Sequence, residues 1–203
     1  FVGIAFAVRA DRLSAVDRRI ISVVQGWETP ALTGWMKAFS WIGSTVGVAL
    51  LTLAALAILY VAFRHRKELA LLVVSMAGSV ALGYALKAAF RRDRPDIRQL
   101  VAEDGYSFPS TASLAAVALY GALVCLLWRH ARTRAAKLAL LAVGTVVTAC
   151  IGVSRVYLGA HYPSDVVAGY ALGAAWLALT IAWLGRWAGY RTSGNRIAKQ
   201  RGM

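Results

Sequence analysis

Three short polar stretches in an otherwise apolar chain carry residue types that could handle a phosphate ester. The first runs from Lys87 to Pro95 and includes Arg91, Arg92 and Arg94. Guanidinium forks match phosphoryl oxygens two at a time, and a lysine adds a point charge. The second, "SFPSTASL" at 107–114, places Pro109, Ser110 and Thr111 at the start of an apolar run. Such residues cap a helix, and the free N–H groups of a helix start also hold an anion. The third, "SRVYLGAHYPSD" at 154–165, supplies Arg155, then His161 and Asp165 four residues apart. At that spacing on a helix the imidazole and the carboxylate share one face. An aspartate holding one ring nitrogen leaves the other free and more basic, which turns an imidazole into a nucleophile.

Each stretch taken alone has a plainer explanation. Lys87 to Arg94 could be the basic flank of a membrane helix, Ser110 an ordinary cap, and His161 an interfacial residue beside a capping aspartate. Taken together, Lys87, Arg94 and Arg155 with a helix N-terminus would cradle a dianion, and a His–Asp pair would attack it. No cluster of carboxylates or histidines suggests a metal, and no cofactor is implied. His65 and His130 fall in basic turns and read as solvated bystanders.

The elements that must position these groups are membrane helices. Of 203 residues, 59% are hydrophobic and 16% charged, with a mean hydropathy of +0.60. A soluble domain would carry about 25% charge. The apolar blocks are long enough to cross a bilayer and show no strict alternation, so helices are expected rather than a barrel. The pattern predicts an all-α polytopic protein with one membrane-embedded domain over 1–203 and six spans. "FVGIAFAV" reads as the end of a truncated first span. The others are 44–63, 68–90, 110–128, 138–154 and 163–185. Residues 9–42 are mixed; within them "AVDRRIISVVQGW" alternates apolar and charged positions at helical spacing and predicts an interfacial segment, with Trp27, Trp35 and Trp41 at headgroup level. Cys125 and Cys150 fall inside apolar blocks and read as small buried hydrophobes rather than a disulfide.

The net charge of +14 lies mostly between the apolar blocks. That placement suits anionic lipid headgroups better than nucleic acid. The turns 64–67 and 129–137 share one side with the basic tail 186–203, and that side reads as cytoplasmic. Eight of the nine acidic residues fall on the other side. Loops 91–109 and 155–162 then face outward together, on a protein of the plasma (inner) membrane with its site extracytoplasmic. The oligomeric state is not legible.

The three stretches, written K-x6-R-P (Lys87 to Pro95), P-S-x-x-S (Pro109 to Ser113) and S-R-x5-H-x3-D (Ser154 to Asp165), resemble the signature motifs of the type 2 phosphatidic acid phosphatase superfamily. The resemblance spans 87–165, in order. It implies a six-helix membrane core and metal-independent removal of phosphate from a lipid. It implies that His161 attacks phosphorus to form a phosphohistidine, with Asp165 orienting it. Lys87, Arg94 and Arg155 would bind the phosphoryl oxygens, helped by Ser110, Thr111 and the turn amides. Arg92 matches a position often basic in the family and is counted with them. Ala112 departs from the pattern: the family has there a histidine that protonates the leaving oxygen. Since every other motif residue is intact, a deliberate substitution is the expected origin, although a natural variant would look the same. The expectation is therefore an acid-deficient lipid phosphatase acting on a polyprenyl diphosphate, phosphatidylglycerol phosphate or phosphatidic acid. The alternatives are a non-enzymatic lipid-phosphate binder or transporter on the same fold, and a small channel or scaffold.

Overall fold

Long apolar stretches broken by short polar turns fold here into consecutive helices. The computed structural model describes residues 1–63 and 66–187. They form α1 (Val2–Arg9), α2 (Ser14–Gln25), α3 (Pro30–Ile42), α4 (Thr45–Phe63), α5 (Arg66–Phe90), α6 (Thr111–Trp128), α7 (Arg134–Tyr157) and α8 (Pro163–Trp187). Local chemistry sets several starts. Thr29 accepts from the Leu32 N–H at 3.2 Å ahead of Pro30, and Thr133 accepts from the Ala136 N–H at 3.1 Å. Both are N-caps that satisfy a donor the helix cannot.

Among the described residues four helices are long and apolar enough to cross a membrane: Leu69–Phe90, Thr111–Trp128, Arg134–Tyr157 and Pro163–Leu184. Pro30–Ile42 and Thr45–Val61 together have the length and composition of a fifth, bent by 60° at the Gly43–Ser44 break, as in a broken crossing or a re-entrant loop. α1 lies where the truncated first span was expected, and its eight residues extend about 12 Å. The segment 9–42 holds α2 and α3. α2 packs against α7 and α8, while α3 opens the bent pair. Trp27, Trp35 and Trp41 are all exposed. His65 and the tail from 188 onward lie outside the described residues.

The outside of the bundle is as apolar as its inside. Only 11% of the α7 span is buried within the protein, and its exposed face carries Leu138, Leu141, Val143, Val146 and Val153. Such a surface requires lipid around it, and the chain is an integral membrane protein. The same fact corrects the expectation for the cysteines. Both are free, Cys125 is exposed and Cys150 half-buried, because apolar positions of a lipid-facing helix need not point inward.

α6 is the central helix, packed by α5, α7 and α8. Helices surrounded by lipid gain little from the hydrophobic effect between them, so small residues and interhelical hydrogen bonds do the joining. Ser75 Oγ on α5 donates to the Ala118 carbonyl of α6 at 3.2 Å, and Trp176 Nε1 on α8 donates to the Ser75 carbonyl at 2.9 Å. Gly169 and Gly173 let α8 approach α6 closely. A Cβ on Gly169 would stand 2.6 Å from the Ser110 carbonyl oxygen, and one on Gly173 would stand 2.9 Å from that of Leu114. Backbone atoms cannot swing aside. Gly169→Ala is therefore expected to cost about 1–3 kcal/mol through overpacking. Gly34→Ala, in open space, should leave stability nearly unchanged apart from its gain in helix propensity. Thermal unfolding of both variants in detergent checks this, and equal midpoints would contradict the close-packing account.

Candidate active site

The three polar stretches meet at one end of the bundle. Lys87 closes α5, the loop 91–110 follows, α6 starts at Thr111, α7 ends just past Arg155, and α8 starts at Pro163. Up–down helix topology puts these termini on the same side. His130, exposed in the turn after α6, sits at the other end, about 27 Å of helix away.

His161 is placed by a turn that doubles back over α7. The Arg155 carbonyl accepts from both the Ala160 N–H at 3.0 Å and the His161 N–H at 3.1 Å. The turn passes through Gly159 at φ +73°, a left-handed conformation that suits glycine. A Cβ there would also stand 2.8 Å from the Arg98 carbonyl oxygen.

Asp165 is held from several directions. Its Oδ2 accepts from the Tyr162 backbone N–H at 3.0 Å and from Ser107 Oγ, and its Oδ1 accepts from Arg92 Nη1 at 2.6 Å. The Tyr162 contact is half of a capping box, so this carboxylate also starts α8. The capping explanation and the functional one describe the same group. Its backbone carbonyl accepts from the Ser110 N–H at 3.1 Å, which ties the two helix starts together.

The imidazole lies between Asp165 and Arg94. Nδ1 is 3.7 Å from Asp165 Oδ2 and 3.5 Å from Ser107 Oγ, and Nε2 is 3.5 Å from Arg94 Nη1. At 3.7 Å the His–Asp contact is longer than a formed hydrogen bond, as is common in unliganded catalytic sites. A guanidinium can only donate, so the nitrogen facing Arg94 is the one suited to carry the lone pair. Burial pushes the His161 pKa down to about 4, against the opposing pull of Asp165, and Arg155 and Arg94 add to the lowering. The ring is neutral at physiological pH, which is what a nucleophilic nitrogen requires.

The cations form the rest of the wall. Arg94 donates to the Ala160 carbonyl at 2.7 Å through Nη1, to that of Asp104 at 2.8 Å through Nη2 and to that of Gly105 at 3.0 Å through Nε. Arg155 is buried; its Nη1 donates to Ser40 Oγ at 2.6 Å, and its Nε has no hydrogen-bond partner among the described residues. Lys87 Nζ donates to the Tyr106 carbonyl and lies within Coulombic reach of Arg94 and Arg155. Glu103 bridges the two arginines, pairing with Arg155 Nη2 and standing 3.5 Å from Arg94 Nη2. Burial alone would push the Glu103 carboxyl up, but Arg155 and Arg94 outweigh it and hold the group below the usual range. Its carboxylate takes the place an oxyanion would occupy between these arginines. Such an arrangement can bind a phosphoryl group and present a neutral imidazole nitrogen to it.

Ser110 is fully buried and caps α6, accepting from the Ser113 N–H at 3.4 Å. Thr111 and Ala112 head the same helix. Arg92 stands differently from the other bases. Its guanidinium is committed to Asp165, to Asp17 at 3.0 Å and to Ser164 Oγ at 2.8 Å, and it stacks 4.0 Å from the Tyr162 ring centre. It supports Asp165 from behind rather than facing the cradle with Arg94 and Arg155, as the family pattern had suggested. Sequence reading also passed over Ser40, Glu103 and Ser107, and assigned no role to Asp17. Ser107 and Glu103 lie in the polar loop but carry no local signal. Ser40 and Asp17 come from the interfacial segment, distant in sequence.

Two cavities end on Arg155 and Glu103. One, of about 640 Å³, runs between α4, α5 and α6 past Val48, Leu53, Met76 and Val80, and Thr111 and Ala112 line it beside the arginine. The other, of about 420 Å³, is bordered by Lys37, Ser40 and Trp41.

The depressed His161 pKa gives a stability prediction. Between pH 6.5 and about 4 the unfolded chain takes up a proton that the folded chain refuses. Stability should then rise with pH across that window and be lost as pH falls through it. The slope from this residue is at most about 1.4 kcal/mol per pH unit. Chemical unfolding in detergent at pH 7 and pH 5 should show a shallower acid loss for His161→Asn than for the unaltered chain.

The chain is similar in sequence and in fold to known membrane proteins. Phosphatidylglycerophosphatase B of Bacillus subtilis (strain 168) is 27% identical over 176 residues, covering 85% of each chain. The crystal structure of a transmembrane PAP2-type phosphatidylglycerolphosphate phosphatase from Bacillus subtilis superposes with a TM-score of 0.85 at 24% identity, over 96% of this chain and 94% of that one. Aquifex aeolicus LpxE superposes with a TM-score of 0.66 at 21% identity, over 81% and 93%. The sequence pattern of the PAP2 superfamily matches residues 68–188, which hold every motif described above, and the chain belongs to that superfamily.

Proposed function

We propose that the protein is a membrane lipid phosphatase in which His161 attacks phosphorus and forms a phosphohistidine. The observation that carries this reading is the meeting of the buried His161 imidazole with Arg94, close to Arg155, which lines an apolar cavity. Arg94, Arg155, Lys87 and the α6 start would hold the phosphoryl oxygens, displacing Glu103 from between the arginines. The Nε2 lone pair would form the bond to phosphorus as the ester oxygen departs, and Asp165 would hold Nδ1–H and balance the imidazolium. Water would then release inorganic phosphate from the histidine.

The lipid tail fits the cavity between α4, α5 and α6, which is lined by apolar side chains and ends at the cradle. Phosphatidylglycerol phosphate is the substrate suggested by the Bacillus relative, and a polyprenyl diphosphate would fit the same chemistry. An extracytoplasmic site in the plasma membrane is supported by charge. Bases at the site end are matched with acids, including Arg98 with Glu28 at 2.9 Å. The turn 129–137 holds four bases and no acid, as a cytoplasmic turn would.

Ala112 decides how well this machinery runs. It sits on the wall of the apolar cavity beside Arg155, where a histidine could reach a leaving oxygen. A missing general acid typically costs about 10²–10⁴-fold. An alkoxide leaving from a lipid monophosphate needs that proton, whereas a phosphate leaving from a diphosphate is already a weak base. The chain is expected to be nearly inactive on monophosphates and less impaired on diphosphates. Phosphate release from both substrates, with and without Ala112→His, tests this; equal rescue on both would contradict the leaving-group argument. His161→Ala should abolish release even in the Ala112→His background, and turnover persisting there would remove the covalent mechanism. Ala112 also favours a second reading, a lipid-phosphate binder that never turns over. That reading predicts no phosphate release from any lipid phosphate after Ala112→His.

A further inference from the structure

Asp17 is a buried carboxylate on an otherwise amphipathic surface helix, 3% exposed in the first turn of α2. A charge so placed is costly unless it is paired and hydrogen-bonded. It is both. Oδ1 accepts from the Ser164 backbone N–H at 2.9 Å, in the first turn of α8, where the helix end favours an anion. Oδ2 accepts from Ser164 Oγ at 2.5 Å and from Arg92 Nη2 at 3.0 Å. The other end of the same guanidinium holds Asp165 Oδ1 at 2.6 Å. A continuous path thus runs from Asp17 through Arg92 and Ser164 to Asp165, whose second oxygen faces His161.

The arrangement has an electrostatic consequence. Arg92 is a full positive charge in direct contact with the carboxylate that must stabilise the His161 imidazolium. On its own it would neutralise Asp165 and leave the imidazolium without a counter-charge. Asp17 supplies a second carboxylate, so the Asp17–Arg92–Asp165 group keeps one net negative charge next to the histidine. We propose that Asp17 is a positioning residue for phosphoryl transfer, fixing the start of α8 through Ser164 and balancing Arg92 so that Asp165 acts on His161 with its charge intact. This rests on the phosphohistidine reading.

The test separates charge from structure. Asp17→Asn keeps an acceptor for the Ser164 N–H while removing the charge and the acceptor oxygen that faces Ser164 Oγ and Arg92, and the thermal midpoint reports any structural cost of that lost acceptor. In the Ala112→His background, phosphate release from phosphatidylglycerol phosphate is expected to fall about tenfold in kcat, with KM changed less than twofold and the thermal midpoint nearly held. Arg92→Gln added to Asp17→Asn should recover part of the loss, because the guanidinium is then no longer unbalanced. In the unaltered chain, the Nδ1–H proton resonance of His161, assigned by its loss in His161→Asn, should move upfield on Asp17→Asn. An unchanged kcat with an unchanged resonance would overturn the proposal. So would strictly additive effects of the two substitutions, or a rate loss that follows a fall in thermal midpoint with the resonance unmoved. If the Ala112→His chain releases no phosphate with Asp17 intact, the enzymatic reading fails, and the resonance still judges the Asp17–His161 coupling by itself.

Discussion

The buried carboxylate of Asp165 is the point on which both the helix ends and the geometry around His161 depend. It caps α8 through the Tyr162 N–H, anchors the loop through Ser107, holds Arg92, and faces the His161 ring. A fully buried charge is tolerated only because every oxygen is occupied by a donor or a counter-charge. Its partners come from the loop between α5 and α6 and from the turn between α7 and α8, so satisfying this one group brings the ends of those four helices into register. The fold does not merely carry the site; the demand for partners around Asp165 helps decide where the helix ends stop.

The rest of the site follows from crowding cations at one end of a lipid-facing bundle. Lys87, Arg92, Arg94 and Arg155 repel one another unless anions are interposed. Asp17 and Asp165 answer Arg92, and Glu103 answers Arg94 and Arg155. The two answers differ in kind. The first is buried on both carboxylates and tied into backbone hydrogen bonds, which makes it permanent architecture. The second lies at the junction of two cavities on a partly exposed side chain, where a bound phosphoryl group can compete for the same guanidinium donors. Among the described residues the buried Nε of Arg155 has no hydrogen-bond partner. This division separates Arg92, held between two buried carboxylates, from Arg94 two residues on, which faces Glu103 and His161.

Sequence by itself determined the solvent, the secondary structure and the kit of reactive groups. Apolar blocks, capping residues such as Thr29, Ser110 and Thr133, and the Pro and Gly punctuation depend only on near neighbours and the bilayer. The His161–Asp165 pair is close in sequence, but His161 sits in the turn before α8 rather than on the helix face that the spacing suggested. Tertiary structure alone decided the partners. Asp17, Ser40 and Glu103 reach the site across up to about 150 positions of chain, and nothing local marks them. Packing likewise turned Arg92 toward two carboxylates, bent α3 against α4, and left Cys125 facing out. Local physics fixes what each segment can be, whereas charge balance in a low-dielectric interior is a property of the assembled ends and exists only once they meet.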